Sequence, residues 1–309
     1  MGVFVFLPLV LPLTAWPIAR LAEQHLHPRS ATWLLTAVAG VLAVCSTLCL
    51  ALLMVVGTAQ LPGNPLPDGW SDPEVRAAVP YDEVAGRVAI PALIAVLAAC
   101  GRAAWRHHRV RGRARRALEG LPPTSVAVLD DTVPYAYALP GGRGRIVVTT
   151  GMLAGLNAGE RRALFAHERA HLARRHHRFV LTVQLAARAN PFLRPLLTAV
   201  AYTTERWADE EAATAIGSRR TVALAIGRSA LISRGGPGAA LAGFAVAGPV
   251  PRRVAALLGP APTGGIWPSV FTTVGLATWG AAAGTTASAL SSANSAVTLF
   301  LILRAATPV

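Results

Sequence analysis

The sequence predicts a mainly α-helical membrane protein with about four transmembrane helices and one α+β domain. Two observations lead to this fold class. The mean hydropathy of the 309 residues is +0.47, and only 14% of them are charged, which is too apolar for an ordinary soluble protein. Several apolar runs are long enough to cross a bilayer, and one stretch between them alternates strand-like and helical patterns. The chain is long enough to hold both parts.

Three apolar runs precede the α+β domain and a fourth follows it. The predicted spans are residues 3–19, 32–57, 88–105 and 267–288. Because the first run lacks a basic start and a clear cleavage site, we expect it to be retained as a span. Residues 289–303 end in another apolar run, which fits a short fifth span, a continuation of the fourth span or an interfacial helix.

The charges predict how these spans are oriented. All 29 basic residues are arginines, and six of them lie in the juxtamembrane segment 106–117. The loop 58–87 contains more acidic than basic residues. The positive-inside rule then places this loop outside the cell and the α+β domain, residues 118–260, in the cytoplasm. We therefore predict a multi-pass protein of the cell membrane, with three spans within residues 1–105 and the fourth span and a tail within 261–309.

The basic segment 106–117 and the cysteines also bear on function. Clustered arginines can bind nucleic acid, but a basic run directly after a membrane span is better explained by topology and by attraction to anionic lipid headgroups. The lipid bilayer is thus a predicted partner, and direct nucleic-acid binding is not.

Cys45, Cys49 and Cys100 all lie in apolar runs, so the sequence predicts neither a disulfide framework nor a cysteine metal site.

The motif His167-Glu168-Arg169-Ala170-His171 has the form H-E-x-x-H within a helical pattern. Residues four apart lie on one face of a helix, so the imidazoles of His167 and His171 can reach the same metal ion. Glu168 lies about 100° around the helix, where its carboxylate can take a proton from an attacking water. This pattern predicts one zinc ion per chain, with Glu168 as the catalytic residue.

A catalytic zinc site usually has three protein ligands, so a third ligand must lie elsewhere in the chain. Downstream of the motif, all acidic residues fall within 205–211. His176 is five residues past His171 and is predicted to point away from the metal. We therefore predict Glu205 as the third metal ligand and Asp209, four residues later, as the partner of a ligand histidine. Glu210 and Glu211 fit a solvated acidic face.

Local patterns predict the elements that carry these residues. Asn157 and Glu160 have the spacing of a capping box, so the motif helix is expected to run from there to about Ala189. Asn190-Pro191 is predicted to begin a second helix that ends near Gly217. Strands are expected at 125–129 and 145–150. The second of these is either an edge on which an extended substrate pairs or a plain structural strand.

Residues 133–179, which include VPYAYALPGG and AHERAHLARRHH, and the later ERWADEEAA resemble the BlaR/MecR-type membrane zinc metallopeptidases. The related HtpX-like and CAAX prenyl protease families share this resemblance, which covers roughly residues 130–235. It implies a zincin-like (gluzincin) domain, with His167, His171 and Glu205 as zinc ligands and Glu168 as general base. The chain has no lysine and no room for a penicillin-binding sensor, so β-lactam sensing by this polypeptide is not expected.

These features predict a zinc metalloendopeptidase that cleaves a cytosolic regulatory protein, such as a transcriptional repressor. Its partners would be a protein or peptide substrate and a separate sensor or repressor protein. Quality control of membrane proteins and a non-catalytic signalling scaffold are the alternatives.

Few residues could act as a second oxyanion donor beside zinc, because no histidine follows His177 and Tyr202 is the only later tyrosine. The oxyanion would therefore be stabilised by zinc alone or by zinc with an arginine.

Overall fold

Helices dominate the computed structural model, which describes residues 6–61, 63, 66–71, 82–120, 122, 124–141, 144–233, 249–262 and 268–307. The α-helices are α1 (Leu7–Val10), α2 (Ala15–His25), α3 (Pro28–Ala59), α4 (Asp82–Arg116), α5 (Thr150–Ala154), α6 (Ala158–Ala173), α7 (His176–Ala189), α8 (Arg194–Ile216), α9 (Arg219–Ile232), α10 (Val250–Leu258) and α11 (Thr273–Ala305). The strands are β1 (Val126–Leu129), β2 (Ala136–Leu139) and β3 (Arg145–Thr149). Residues 72–81 of the predicted external loop lie outside the described residues.

Three helices among the described residues are long and apolar enough to cross a membrane. They are α3, the Val84–Arg116 part of α4, and α11, and they suggest that the protein is associated with a membrane. Their positions match the second, third and fourth predicted spans. Because α11 is one continuous helix, residues 289–303 continue the helix of the fourth predicted span rather than form a separate helix.

The first predicted span, residues 3–19, differs from the expected single helix. From Leu7 the chain forms α1, a 3-10 helix at Leu11–Thr14, and then α2. This run contains Pro8, Pro12 and Pro17, and proline cannot donate a backbone hydrogen bond, so the first span is broken into short helical pieces. Residues 1–5 lie outside the described residues.

The broken run nevertheless lies alongside α3. Phe6 and Leu9 pack in the cluster that contains Val56, near the end of α3. Ala22 packs in the cluster that contains Ala31, near the beginning of α3. The segment from Phe6 to α2 therefore follows the length of the helix that it accompanies.

The hairpin of α7 and α8 connects the long apolar helix α3 to the rest of the domain. Phe179 on α7 meets Trp33 on α3, with their rings edge to face at 4.7 Å. Leu193, Leu196 and Val200, in and just before α8, are buried in the same cluster as the first half of α3. This packing joins the α7–α8 hairpin to a helix that could cross the membrane.

The sheet has three strands in the order β1-β3-β2. Strand β3 pairs in parallel with β1 and antiparallel with β2, with Val147 facing Ala127 on one side and Tyr137 on the other. Of the two alternatives left open for β3, the edge for substrate is therefore wrong, because both of its sides are occupied and it is an internal strand. Strands β1 and β2 are the two edges of the sheet, and β2 is a strand that the sequence analysis did not predict.

The helix predicted from Asn157 to Ala189 is interrupted. It ends at Ala173, and α7 begins at His176 after Arg175 adopts a left-handed conformation with φ of 55°. Arg175 is the one non-glycine residue with positive φ among the described residues. Residues other than glycine rarely adopt this backbone conformation. The break in the motif helix is therefore maintained by packing rather than by the conformational preference of Arg175.

The conformation of Arg175 predicts the effect of glycine there. Glycine adopts a left-handed conformation without the steric cost of about 1–2 kcal/mol that other residues bear. Part of this gain is offset because glycine has more freedom in the unfolded chain. We expect Arg175→Gly to leave the free energy of unfolding unchanged or raise it by up to about 1 kcal/mol.

The matched control is Arg169→Gly, in the exposed interior of α6, which should lower the free energy of unfolding by about 1 kcal/mol. Denaturant unfolding of both variants in detergent micelles measures the difference. If both substitutions were equally destabilising, the left-handed conformation at residue 175 would be contradicted.

Candidate metal centre

Helix α6 carries the H-E-x-x-H motif, and its beginning is held by a capping box. The Asn157 side chain accepts from the Glu160 amide, while the Glu160 carboxylate accepts from the Asn157 amide. This satisfies two backbone N–H groups that would otherwise lack partners at the helix start. His167 and Glu168 are buried further along this helix, and His171 is partly buried.

Helix α8 supplies the carboxylate that faces these imidazoles. The Nε2 atoms of His167 and His171 are 3.1 Å apart. Each lies 3.4 Å from one oxygen of the Glu205 carboxylate. These three residues could hold a metal ion, since one donor atom from each lies within 4.8 Å of the others.

The donor set can be compared with the requirements of zinc. Bonds of about 2.0–2.1 Å in a tetrahedral site separate the ligand atoms by about 3.3 Å. The two Nε2 atoms are 3.1 Å apart and each lies 3.4 Å from a different oxygen of Glu205, and these distances are close to that value. Two neutral imidazole nitrogens and one carboxylate oxygen are also ligands that zinc accepts, so the residues present fit the ion.

Asp209, one turn beyond Glu205 on α8, contacts the other side of His167. Its Oδ1 atom lies 3.1 Å from His167 Nδ1, and the Asp209 side chain is completely buried. A carboxylate in this position selects the tautomer that leaves Nε2 free to bind a metal. The structure thus brings together all five residues singled out in the sequence: His167, Glu168, His171, Glu205 and Asp209.

Arg253 on α10 is a further member of the cluster, which the sequence analysis missed. Its Nη1 lies 2.8 Å from Glu205 Oε2, and its Nε and Nη2 donate to the two Asp209 oxygens at 2.9 and 2.6 Å. The sequence contained one signal: Arg253 occupies a position on the same helix face as the apolar Val250 and Leu257. An arginine on a buried face needs a buried partner.

Burial and neighbouring charges shift the pKa values of the cluster. Burial disfavours the charged form of Glu205, but Arg253 and the two imidazoles outweigh it and hold the Glu205 pKa well below its usual range. Burial likewise opposes charge on His167, but hydrogen bonds with Asp209 and Glu205 raise its pKa to about 10. Burial lowers the pKa of His171 to about 4. The two imidazoles are therefore in different electrostatic environments.

Glu168 lies beside the metal-binding atoms but has a different environment. Burial raises its pKa to about 7, although His167, Arg253 and a backbone hydrogen bond from Ala138 act in the opposite direction. A carboxyl group with a pKa near neutrality can both accept and release a proton. The hydrogen bond from Ala138 also shows that β2 lies directly next to this carboxyl group.

His176 does not point away from the site as expected. Because the motif helix ends before it, His176 begins a new helix, and its Nδ1 atom lies 3.0 Å from His171 Nδ1. An unbroken helix would have placed it about 140° further round. The prediction was wrong because it assumed one helix where the chain forms two.

A cavity of about 370 Å³ opens next to this cluster. Strand β2 forms one wall, and residues of α4, α6 and α9 form others; the apolar part of the lining includes Val110, Leu164, Leu172, Val180 and Ile226. A cavity of this size with an apolar lining and a few polar groups is typical of a ligand-binding site. Its contact with α4 places it beside a helix that could cross the membrane.

The comparisons with known proteins agree with this geometry. Residues 101–235 match the family model of Peptidase family M48. The match covers less than half of the chain, and it supports the M48 metallopeptidase family and implies a metalloprotease. The matched segment includes both the H-E-x-x-H motif and Glu205. Searches of the curated proteins and of the solved structures gave no match.

The position of Arg253 predicts a large effect on stability. Arg253→Met leaves the buried carboxylates of Glu205 and Asp209 without their cation, and breaking a buried ion pair costs about 3–5 kcal/mol. The free energy of unfolding should be measured on protein treated with a chelator, so that loss of metal cannot explain the difference.

Arg252→Met, on the same helix, is the control. Arg252 is half exposed and 3.3 Å from Glu23, so we expect its loss to cost no more than about 1 kcal/mol. Equal effects of the two substitutions would show that the Arg253 ion pairs do not stabilise the site.

Proposed function

We propose that this protein is a zinc-dependent endopeptidase anchored in the cell membrane. The observation that carries the proposal is the convergence of the His167 and His171 imidazoles on the Glu205 carboxylate, with the buried carboxyl group of Glu168 beside them. The match to Peptidase family M48 supports a metallopeptidase. The resemblance to the BlaR/MecR type supports the narrower assignment to a membrane peptidase that cuts a regulatory protein.

In this proposal His167, His171 and Glu205 hold one zinc ion. When bound, zinc acts as a Lewis acid that polarises the scissile carbonyl and increases the acidity of water. Asp209 accepts from His167 Nδ1 and keeps this ring in the metal-binding tautomer. Arg253 keeps both carboxylates ionised inside the domain.

Glu168 acts as the general base. Its carboxylate takes the proton of the attacking water and later gives it to the leaving amine, which needs a pKa close to neutrality. Arg253 is not the second oxyanion donor in this account. Its Nη1, Nη2 and Nε atoms already contact the carboxylates of Glu205 and Asp209.

Substrate binds in extended form along β2 (Ala136–Leu139). This is supported by the pairing of β2 with β3, which occupies one of its sides, and by the hydrogen bond from Ala138 to the Glu168 carboxyl group on its other side. Main-chain pairing on an edge strand gives affinity without strict demands on side chains. The apolar cavity lining favours apolar side chains near the scissile bond.

The protein crosses the membrane four times, with the broken run from Phe6 to α2 as the first crossing. Support comes from the packing of this run along α3 and from the three long apolar helices. The Arg-rich end of α4 and the beginning of α3 lie on the domain side, which the positive-inside rule assigns to the cytoplasm. The opposite end includes Trp70, which donates to Thr307 past the end of α11.

Substitution of the general base provides the first test. Glu168→Gln should lower the rate of peptide hydrolysis by about 100-fold or more, because it removes the proton acceptor. Bound zinc should remain, since Glu168 is not a ligand. Cleaved N-termini are compared across the proteome between cells with wild type and with the variant, and Glu119→Gln, an exposed change of the same kind, is the control.

One defined cut in a cytosolic regulator would support the proposed substrate class. Broad cleavage of unfolded membrane proteins would favour quality control instead. Identical N-termini in wild type and Glu168→Gln cells would contradict the peptidase proposal.

Labelling of introduced cysteines tests the orientation. Cys45, Cys49 and Cys100 lie in apolar helices and give little background with a membrane-impermeant maleimide. Pro67→Cys should react in intact cells, because it lies on the proposed external side. Arg220→Cys, exposed on α9, should react only after the cells are permeabilised. The opposite labelling pattern would place the catalytic domain outside.

A further inference from the structure

His171 is the one proposed zinc ligand whose outer nitrogen faces another histidine. Its Nδ1 atom lies 3.0 Å from Nδ1 of His176, and the two rings stand perpendicular with centroids 4.8 Å apart. His176 is buried, with an exposure of 1%. The contact is therefore a close hydrogen bond inside the domain, and one of the two Nδ1 atoms must carry its proton.

The chemistry of a metal-bound imidazole decides which atom carries it. If His171 binds zinc through Nε2, its proton must lie on Nδ1, which then acts as a donor. The acceptor at 3.0 Å is the Nδ1 lone pair of His176. His176 must then be neutral with its own proton on Nε2. The arrangement thus fixes the tautomers of both rings.

This arrangement is locally unfavourable in two ways, which a residue that served only to fill space would avoid. His176 Nε2 is buried and has no hydrogen-bond partner among the described residues. Its ring lies against Trp207, with centroids 4.8 Å apart, where an apolar side chain would pack without leaving a polar atom unsatisfied. The neighbouring Arg175 must also adopt its left-handed conformation before His176 can begin α7.

We propose that His176 is a positioning residue that fixes the tautomer and the ring orientation of the zinc ligand His171. The inference rests on the proposed function, because it requires zinc at His171 Nε2. Each ligand histidine then has its own acceptor, which is Asp209 for His167 and His176 for His171. Such partners commonly increase metal affinity by about 10–100-fold.

Two amide substitutions separate this role from simple packing. In His176→Asn the side-chain oxygen can occupy the place of Nδ1 and accept from His171. In His176→Gln the amide extends to the place of Nε2 and leaves His171 without its acceptor. The zinc dissociation constant, measured by competition with a chromogenic chelator, should stay within about threefold of wild type for Asn and rise about 10–100-fold for Gln.

His177→Gln is the matched control, because it also replaces an imidazole in the first turn of α7, and it should leave zinc affinity unchanged. Thermal unfolding of the metal-free variants shows whether each is folded. Equal zinc affinities for His176→Asn and His176→Gln would overturn the inference.

A measurement on the wild-type protein does not depend on whether the variants fold. Nitrogen NMR of the zinc-loaded protein, with 15N-labelled histidine, should show the proton of His171 on Nδ1 and that of His176 on Nε2. A proton on Nδ1 of His176 would contradict the inference. If wild-type protein fails to bind zinc, the proposed function fails with it, whereas normal zinc binding with the other tautomer removes only the role of His176.

Discussion

Glu205 and Asp209 place two negative charges among buried side chains, and the surrounding structure balances those charges. The Arg253 guanidinium contacts both carboxylates, and His167, whose pKa is raised, lies between them. Unpaired charges at this depth would cost several kcal/mol each. The cluster therefore requires α6, α8 and α10 to pack together, although their contributing residues lie far apart in the chain.

The break at Arg175 connects the fold to this cluster. It ends the motif helix directly after the second imidazole and turns the chain into α7, which packs with α8 against the long apolar helix α3. Trp207 shows the connection at the level of side chains, because its ring contacts His176 at the beginning of α7 and Phe179 nearly one turn further along the same helix. The same residues that position the site thus also attach it to the helices that could cross the membrane.

Local sequence patterns were sufficient for most of the site. The spacing of His167 and His171 depends only on helix geometry, and the position of Glu205 followed because so few acidic residues occur downstream of the motif. The carboxylate partners of Arg253 and the approach of His176 could not be obtained in this way. The first depends on packing between helices distant in sequence, and the second depends on a left-handed residue that no local signal marked.

For the fold as well, local sequence patterns predicted some elements, and features that depend on contacts between distant segments were missed. The second to fourth apolar runs correspond to long helices because length and hydropathy determine them, whereas the prolines of the first run break it into pieces. Strand β2 was missed and the position of β3 in the sheet was left open, because strand order depends on pairing between distant segments and not on the pattern within each strand.

The central claim is that two histidines and one glutamate bind a single zinc ion. X-ray absorption at the zinc edge, combined with metal analysis of protein purified without chelators, tests it most directly. The account predicts one zinc ion per chain, with only nitrogen and oxygen neighbours at about 2.0–2.1 Å and scattering from two imidazole rings. Protein that retains no zinc, or zinc with sulfur neighbours or with no imidazole scattering, would contradict it.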